Sequence, residues 1–454
     1  MRPSSELGAI VAPDGGDPES ERIARFVQDL LVVAAAVFVL MGTYGRSGAD
    51  PAYSRLATVY SLTEYGTFYI DRPADESPIL FEERTIDKVM VGGERVGEAV
   101  RGGRIISSKP PVLPLLMTGE YWVMNRLFGW HLDTPEDVTI ILYWMTVTLV
   151  GAAYVLGIYV FARTLAVLGA DPFSRIVLTC AFALCTQLWG FSTLLNNHVP
   201  ATAMALVAVY QTLRILVGGA APKPWRLALI GLTSGLTLAI DLPATVFPGL
   251  AALALLYRHP RETVLWGGLG AAGPLLVHFG ITYAVTGSVL PVQSRPELYL
   301  YEGAYWRHPR ATDALNEPKL TYLFHMTLGR RGLFSLFPIL FIGVAAGLRA
   351  VVRRDTAHRH AILMGFLGFL VLNGYYLAKT DNYGGECYGF RWAIVSMPML
   401  LLMGLPLMDS LKRGWRRAFL LFVLAVSFYS AWEGTRTAWR ASQEWTCRFL
   451  GPVC

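Results

Sequence analysis

Ionisable and polar side chains that could bind a phosphate or move a proton lie at the ends of long apolar runs in this chain. The candidates are Asp50, Lys109, Asn197, His198, Asp241, Arg330, Arg331, Tyr388 and Arg391. Carboxylates accept protons, cations hold phosphate oxygens, and amide, imidazole and phenol groups bond to hydroxyls. Because these residues are hundreds of positions apart, they meet only if the apolar runs thread a bilayer. The sequence therefore predicts a site on one face of a membrane, and a substrate that is part lipid.

Two compatible interpretations fit Asp50, which follows the first apolar run within a few residues. A carboxylate held at the membrane surface is a candidate general base. The run Asp-Pro-Ala-Tyr over 50–53 is also typical of a helix start, with the acid as the cap and Pro51 at the first helical position. The residues alone leave both roles open.

Basic residues stand where the orientation of a membrane chain disfavours them. Lys109 precedes two prolines, and its ammonium either snorkels to the interface or binds a lipid phosphate as a point charge. Arg330-Arg331 and Arg391 open apolar runs from the side on which positive charge is unusual. Such placement indicates an anionic ligand on that side.

The uncharged and acidic candidates also have possible structural roles that involve no ligand. Asn197-His198 occupies a turn between two apolar runs, where it either starts a helix or bonds to a sugar hydroxyl or phosphate oxygen. Asp241 interrupts an apolar hairpin and needs a partner at that depth, such as Lys109 or an outer arginine. The glycine-rich segment 382–389, with Tyr388, is either a tight turn or a place where backbone and tyrosines approach a sugar.

Composition places these residues in a membrane protein. The 454 residues are 54% hydrophobic and 16% charged, which excludes a large soluble core. The net charge of +6 comes from short basic clusters between apolar runs, a pattern of membrane orientation rather than of nucleic-acid binding. Apolar runs cover roughly 27–44, 136–162, 174–194, 199–217, 226–241, 243–257, 263–285, 332–350, 360–378, 391–408 and 416–432. The predicted fold is an all-α polytopic bundle of about eleven transmembrane helices, with 226–257 its shortest region.

The basic clusters all fall in short loops if the N-terminus is cytoplasmic in the plasma membrane. Two long segments, about 45–135 and 286–331, then lie outside, and 111–130 is predicted to be an amphipathic helix in the interface. Residues 1–24 are predicted to be a disordered tail, 25–432 the transmembrane catalytic domain and 433–454 an outer tail. Cys447 and Cys454 would stand in an oxidising compartment, either bridged or as free thiols.

The order of elements in the first part of the chain resembles that of a known family. It consists of one span, a long outer loop that opens with an acidic residue, the Lys109-Pro110-Pro111 element and an interfacial helix. The chain is similar to glycosyltransferases of the GT-C fold that use polyprenyl-phosphate sugars, above all the protein O-mannosyltransferase and aminoarabinose transferase branch and its bacterial relatives. The similarity is best over about residues 25–200. Arg-Arg-Gly-Leu-Phe-Ser at 330–335 and Tyr-Gly-Phe-Arg-Trp at 388–392 extend it.

The resemblance implies that Asp50 activates the acceptor and that Lys109 binds the donor phosphate. The family often shows Asp-Glu at the first position, whereas Pro51 follows Asp50 here, which leaves open whether Asp50 is the base and whether Glu64 or Asp71 shares the role. The remaining candidates would bind donor phosphate or sugar. The implied partners are a polyprenyl-phosphate-linked sugar, membrane lipid and an acceptor glycan, lipid or protein.

The predicted reaction is inverting transfer of a sugar to that acceptor on the outer face. No nucleotide-binding motif, metal-ligand cluster or nucleic-acid partner is indicated by the sequence, and a divalent metal requirement stays open. The alternative is a transporter or flippase of a lipid-linked or anionic solute. It would need polar residues through the middle of the bilayer, whereas those of this chain gather at one face.

Overall fold

A computed structural model describes residues 17–45, 50–71, 80–97, 99–380 and 382–439, with the backbone alone at Asp50, Asp409 and Thr437. Its first helices are α1 Pro18–Gly42, α2 Asp50–Tyr65, α3 Val112–Phe128, α4 Pro135–Met145 and α5 Ala152–Val167. The six π-helical residues Thr146–Gly151 join α4 and α5 into one rod. The predicted interfacial helix is thus present as α3, and its position in a bilayer stays a prediction.

The start of α1 lies inside the stretch predicted to be a disordered tail. Asp17 accepts a hydrogen bond from the Glu19 amide at 3.2 Å, and Pro18 occupies the first helical turn. This cap starts the helix seven residues before the predicted end of the tail, because capping and a proline outweigh the polar composition. Cys447 and Cys454 lie outside the described residues.

The long segment between α2 and α3 contains a β-hairpin that the sequence analysis did not predict. Its strands are β1 Lys88–Val91, β2 Glu94–Val96, β3 Ala99–Arg101 and β4 Arg104–Ser107. β1 pairs with β4 and β2 with β3, both antiparallel. Gly92 and Gly102 adopt φ of +70° and +73° between the paired stretches, a conformation that glycine reaches without steric cost. The hairpin therefore brings its two ends, Asp87 and Ser108, side by side.

The rest of the described chain is mainly helical, apart from one long connection at 287–318 that contains short 3₁₀ turns. These helices are α6 Pro172–Leu184, α7 Gln187–Phe191, α8 His198–Leu216, α9 Pro224–Ile240, α10 Val246–Arg258, α11 Pro260–Glu262, α12 Gly268–Thr286, α13 Lys319–Thr327, α14 Leu333–Leu336, α15 Phe341–Val352, α16 Arg359–Lys379, α17 Ser396–Met403, α18 Leu405–Leu411 and α19 Gly414–Thr437. A second π-helical stretch, Thr263–Gly267, joins α11 to α12.

Ten of the eleven predicted spans correspond to apolar helices. Six are long and apolar enough to cross a membrane: Pro18–Gly42, Pro135–Val167, His198–Leu216, Pro260–Thr286, Arg359–Lys379 and Gly414–Arg436. Four are shorter: Pro172–Leu184, Pro224–Ile240, Leu242–Arg258 and Pro338–Val352. The predicted span at 391–408 is instead a 3₁₀ turn followed by α17 and α18. The predicted polytopic helical architecture is confirmed.

The bundle has two chemically different ends. At the basic end, Arg175 pairs with Glu21 and Lys412 with Asp171, each at 2.7 Å, so the starts of α1, α6 and α19 lie together. At the loop end, the hairpin meets the segment after α12, where the Val100 amide donates to the Leu300 carbonyl at 2.9 Å. Between the ends, α1 buries Val39 while Phe26 and its neighbours stay exposed, as expected of a face that contacts lipid.

Candidate active site

Charged and polar side chains from four separate parts of the chain meet at the loop end. This charge cluster consists of Arg55, Asp87, Lys109, Asn197, His198, Asp241 and Arg391. Its centre is Arg55, whose charge environment includes Asp87, Asp241 and Arg391. Five of the residues predicted from sequence are therefore neighbours in space, and two, Arg55 and Asp87, were not predicted.

Lys109 is held at one side of the cluster by the base of the hairpin. Its Nζ lies 2.8 Å from Oδ1 of Asp87, the residue directly before β1. Ser54 of α2 fixes this base, because its hydroxyl donates to the Asp87 carbonyl at 2.6 Å and lies 2.6 Å from the Ser107 hydroxyl. Burial lowers the pKa of the Lys109 ammonium, and Asp87 opposes that shift. Lys109 is therefore paired and desolvated rather than snorkelling into water.

Arg55 joins the first outer segment to the start of α8. It is 1% exposed, and its Nη2 donates to Oδ1 of Asn197 at 2.8 Å. Its Nη1 donates to the Pro51 carbonyl at 2.9 Å, one turn back in α2. Burial lowers the pKa of Arg55 to about 10, with Asp87 working against the shift. Its Nε–H has no acceptor among the described residues, so the guanidinium has an unused donor inside the site.

His198 and Asp241 form a buried pair at the other side of the cluster. Nδ1 of His198 lies 2.6 Å from Oδ2 of Asp241. Asp241 stands at the break between α9 and a short 3₁₀ turn, and His198 is the first residue of α8. The sequence analysis expected Lys109 or an arginine as the partner of Asp241. That expectation was wrong: the helix break lies next to the start of α8, so a histidine reaches the carboxylate.

Arg391 brings a third cation from the glycine-rich segment before α17. Its guanidinium lies 5.2 Å from the ring centroid of Trp439, and it makes no hydrogen bond or ion pair with the described residues. Gly384, at φ +89°, passes so close that an added Cβ would lie 3.1 Å from Nε of Arg391. The glycine permits this approach, and the segment presents an arginine without an acceptor to the cluster.

Arg330, Arg331 and Tyr388 shape the structure beside the cluster. Arg330 pairs with Glu317 at 2.7 Å, and the Tyr383 hydroxyl bonds to the same carboxylate. Arg331 is fully buried, donating to the Cys387 carbonyl and lying 3.3 Å from Glu386.

The ring of Tyr388 packs in the core, with its hydroxyl 2.9 Å from that of Ser430. The three residues thus contact the Arg391 segment and its surroundings rather than the centre of the cluster. Their predicted roles as donor ligands are left without support from this geometry.

The carboxylates named for the base role are not gathered in one place. Asp50 begins α2, five residues before Arg55, and its side chain lies outside the described residues. Asp71 pairs with Arg104 at 3.2 Å on the hairpin, and Glu64 is exposed near the end of α2. Among the described residues, no group of three histidines, cysteines or acids is arranged to hold a metal ion.

An apolar groove opens beside Lys109. It is lined by Thr58, Phe68, Ile106, Ser107, Lys109, Pro111, Pro114, Ile281, Thr282, Val285, Thr286 and Val292. One wall is the end of α12, a helix whose outer face is almost wholly exposed. The groove therefore connects the charge cluster with the apolar surface of the bundle.

No protein-family model and no curated protein matches this chain. Solved structures share its architecture. The oligosaccharyltransferase of Archaeoglobus fulgidus has a TM-score of 0.51 at 15% identity, covering 91% of this chain and 54% of that chain. The mycobacterial arabinofuranosyltransferase AftD gives 0.50 at 16%, covering 92% and 28%. ArnT from Cupriavidus metallidurans gives 0.49 at 13%, covering 88% and 62%.

The chain thus spans 28% to 62% of the length of these proteins. The first two likenesses show that it has the GT-C fold, as its sequence predicted.

Proposed function

We propose that this protein is an integral-membrane glycosyltransferase that moves a sugar from a polyprenyl-phosphate carrier to an acceptor on the outer face of the membrane. The GT-C fold is compatible with this chemistry, and the charge cluster supplies it. The site lies at the loop end, opposite the basic end that the positive-inside rule assigns to the cytoplasm. The sugar and the acceptor class, whether glycan, lipid or protein, are unspecified by the proposal.

The observation that carries the proposal is that three cations, Arg55, Lys109 and Arg391, gather at one place. They share it with the carboxylates Asp87 and Asp241, and Asp313 also lies in the charge environment of Asp87 and Arg391. A buried guanidinium N–H without an acceptor is costly, and a bound anion would remove that cost. Nε of Arg391 and Nε of Arg55 both lack an acceptor among the described residues, and guanidinium matches phosphate oxygens in geometry. A phosphate ester is the anion that fits this setting best.

The groove beside Lys109 suits the apolar part of the same ligand. A phosphate held by the cations would leave its first isoprene units against Phe68, Ile281 and Val285, and the longer remainder would continue along α12 into lipid. Ammonium and guanidinium at headgroup depth bind lipid phosphates in this way. A water-soluble anion would gain nothing from the groove.

In the proposed reaction, the acceptor oxygen or nitrogen bonds to the anomeric carbon while the bond from that carbon to the phosphate oxygen breaks. Asp50 takes the acceptor proton, and the electron pair departs on the phosphate, where Lys109, Arg55 and Arg391 stabilise the charge. One displacement from the far side inverts the anomeric centre. A placed base typically accelerates a reaction by ~10²–10⁴, and fixed charge that stabilises the leaving group often contributes more than the base does.

The test is transfer by the purified protein in lipid vesicles from a panel of undecaprenyl-phosphate sugars, beside identification of co-purifying polyprenyl lipids. Lys109→Ala should raise the donor KM by about tenfold or more, since it removes a charged ligand of the phosphate. Lys223→Ala, an exposed lysine at the basic end, is the matched control and should behave as wild type. A wild-type protein that transfers no sugar of the panel and retains no polyprenyl lipid would refute the proposal.

A further inference from the structure

The His198–Asp241 pair is buried where two helix ends meet. The two residues are 8% and 9% exposed, and their 2.6 Å contact has the length of a charge-assisted hydrogen bond. Both sit where helices start or break inside an apolar bundle, where polar groups cost free energy unless they are paired with one another or with a ligand.

The second ring nitrogen of His198 is unused. When Nδ1–H of His198 donates to Asp241, the neutral imidazole has an unprotonated Nε2, which can only accept a hydrogen bond. Nε2 has no hydrogen-bond partner among the described residues. It is also not fully buried, so a ligand can reach it. The pair therefore fixes the ring and leaves a single acceptor open to whatever occupies the cluster.

The residues around the His198–Asp241 pair indicate which part of a lipid-linked sugar would reach it. Arg55 lies in the charge environment of both Asp87, the partner of Lys109, and Asp241, the partner of His198, and Arg391 is close to Lys109 and to His198. Arg55 also bonds to Asn197, the residue next to His198. The arginines thus lie between the lysine beside the groove and the His198–Asp241 pair. With phosphate at the arginines and lipid in the groove, the remaining substituent of the phosphate is the sugar.

We infer that Nε2 of His198 accepts a hydrogen bond from one hydroxyl of the sugar being transferred, and that Asp241 is the positioning residue that holds the ring for it. This inference rests on the proposed function and assigns the sugar-selecting element of the same site. A site built around such a hydrogen bond discriminates strongly against a sugar without that hydroxyl, because a buried acceptor would be left unsatisfied.

The experiment compares binding of undecaprenyl phosphate with transfer from the panel sugar that the wild type uses best and from its monodeoxy analogues. His198→Asn keeps an amide near Nδ1 for Asp241 and removes Nε2, whereas His198→Gln places an amide oxygen near Nε2. His259→Asn is the control, since His259 is a partly buried histidine that follows α10 at the basic end of the bundle.

We expect His198→Asn to lower kcat/KM for the preferred donor by about tenfold or more, with unchanged affinity for undecaprenyl phosphate. His198→Gln should recover part of the loss, and His259→Asn should match wild type. For the wild type, one deoxy analogue should have a much lower kcat/KM than the complete sugar. For His198→Asn, the same analogue and the complete sugar should have equal kcat/KM, as expected when both changes remove the same contact.

Two results would overturn the inference. Equal loss of affinity for sugar-free undecaprenyl phosphate in His198→Asn would make the pair a phosphate ligand or a structural element. If removal of each hydroxyl lowers kcat/KM by the same factor in His198→Asn as in the wild type, then no sugar hydroxyl bonds to Nε2. Failure of the wild type to use any donor is a different result, which refutes the proposed function itself.

Discussion

Lys109 shows how one residue's surroundings set its chemistry. Its ammonium is enclosed by the hairpin base and the start of α3, with Asp87 at 2.8 Å as its partner. Burial lowers its pKa, and the nearby charges of Arg55 and Arg391 act in the same direction. The folded protein therefore releases the Lys109 proton at a lower pH than an exposed lysine does. A bound phosphate, being negative, would favour the charged form of Lys109.

The lowered pKa predicts an alkaline limit to donor use. The charged form binds phosphate, so kcat/KM should fall as the pH rises through the Lys109 pKa of the free enzyme, below the range of an ordinary lysine. Lys109→Arg should keep kcat/KM for donor constant to higher pH, because guanidinium stays charged. A pH series of kcat/KM over about 7 to 10 measures this; identical profiles for the two proteins would show that Lys109 does not titrate in donor binding.

At the scale of elements, the hairpin and the segment after α12 together build one wall of the site. The Trp306 indole donates to the Ile86 carbonyl at 3.0 Å, next to Asp87, and the Gln293 amide donates to the Ser108 carbonyl, next to Lys109. The Asp87–Lys109 pair is therefore held from both sides by a part of the chain about 200 residues away. An outer contact, Arg101 to Glu302 at 2.9 Å, joins the same elements with both side chains more than half exposed.

These contacts differ in their expected effect on activity. Trp306→Phe removes the indole donor and one ring, and leaves the Ile86 carbonyl with the Lys88 amide as its remaining donor, so donor kcat/KM should fall by about 2- to 10-fold. Arg101→Ala should leave it unchanged, because exposed ion pairs contribute little. Steady-state transfer assays on both variants check the difference. Equal effects would mean that the inner contact does not position the Asp87–Lys109 pair.

The sequence predicted the helices well and the partners poorly, for physical reasons. Apolar runs are recognisable without knowledge of neighbours, so ten of the predicted runs coincide with apolar helices, six of them long enough to span a membrane. The hairpin was missed because glycine pairs interrupt its alternation, although Val89-Met90-Val91 and Arg104-Ile105-Ile106 flank them symmetrically. Arg55 and Asp87 lacked any local signal, since their importance comes from residues far along the chain.

Tyr388 and Asp241 illustrate the same limit at the site. A tyrosine in a glycine-rich segment looks available to a sugar, whereas its hydroxyl meets Ser430 of α19 in the core. Asp241 was recognised as a buried acid that needs a partner, and the partner is His198, 43 residues earlier. Sequence identifies which groups need a counterpart; only the packing of helices decides which counterpart lies within reach.

At the scale of the whole molecule, the chain separates a basic end from a loop end that carries all seven residues of the charge cluster. The separation predicts opposite accessibility for one residue at each end. In a chain whose five cysteines are replaced by serine, Val96→Cys on the hairpin should react with a membrane-impermeant maleimide on intact cells. Lys223→Cys at the basic end should react only after permeabilisation. The reverse pattern would place the site in the cytoplasm.

The binding position of undecaprenyl phosphate is the measurement that bears most directly on this account. A cryo-electron microscopy structure of the protein with that lipid should show the phosphate within hydrogen-bond distance of Arg391 and Lys109, with the first isoprene units in the groove beside α12. A phosphate bound elsewhere on the bundle, with Arg391 still lacking an acceptor, would contradict it.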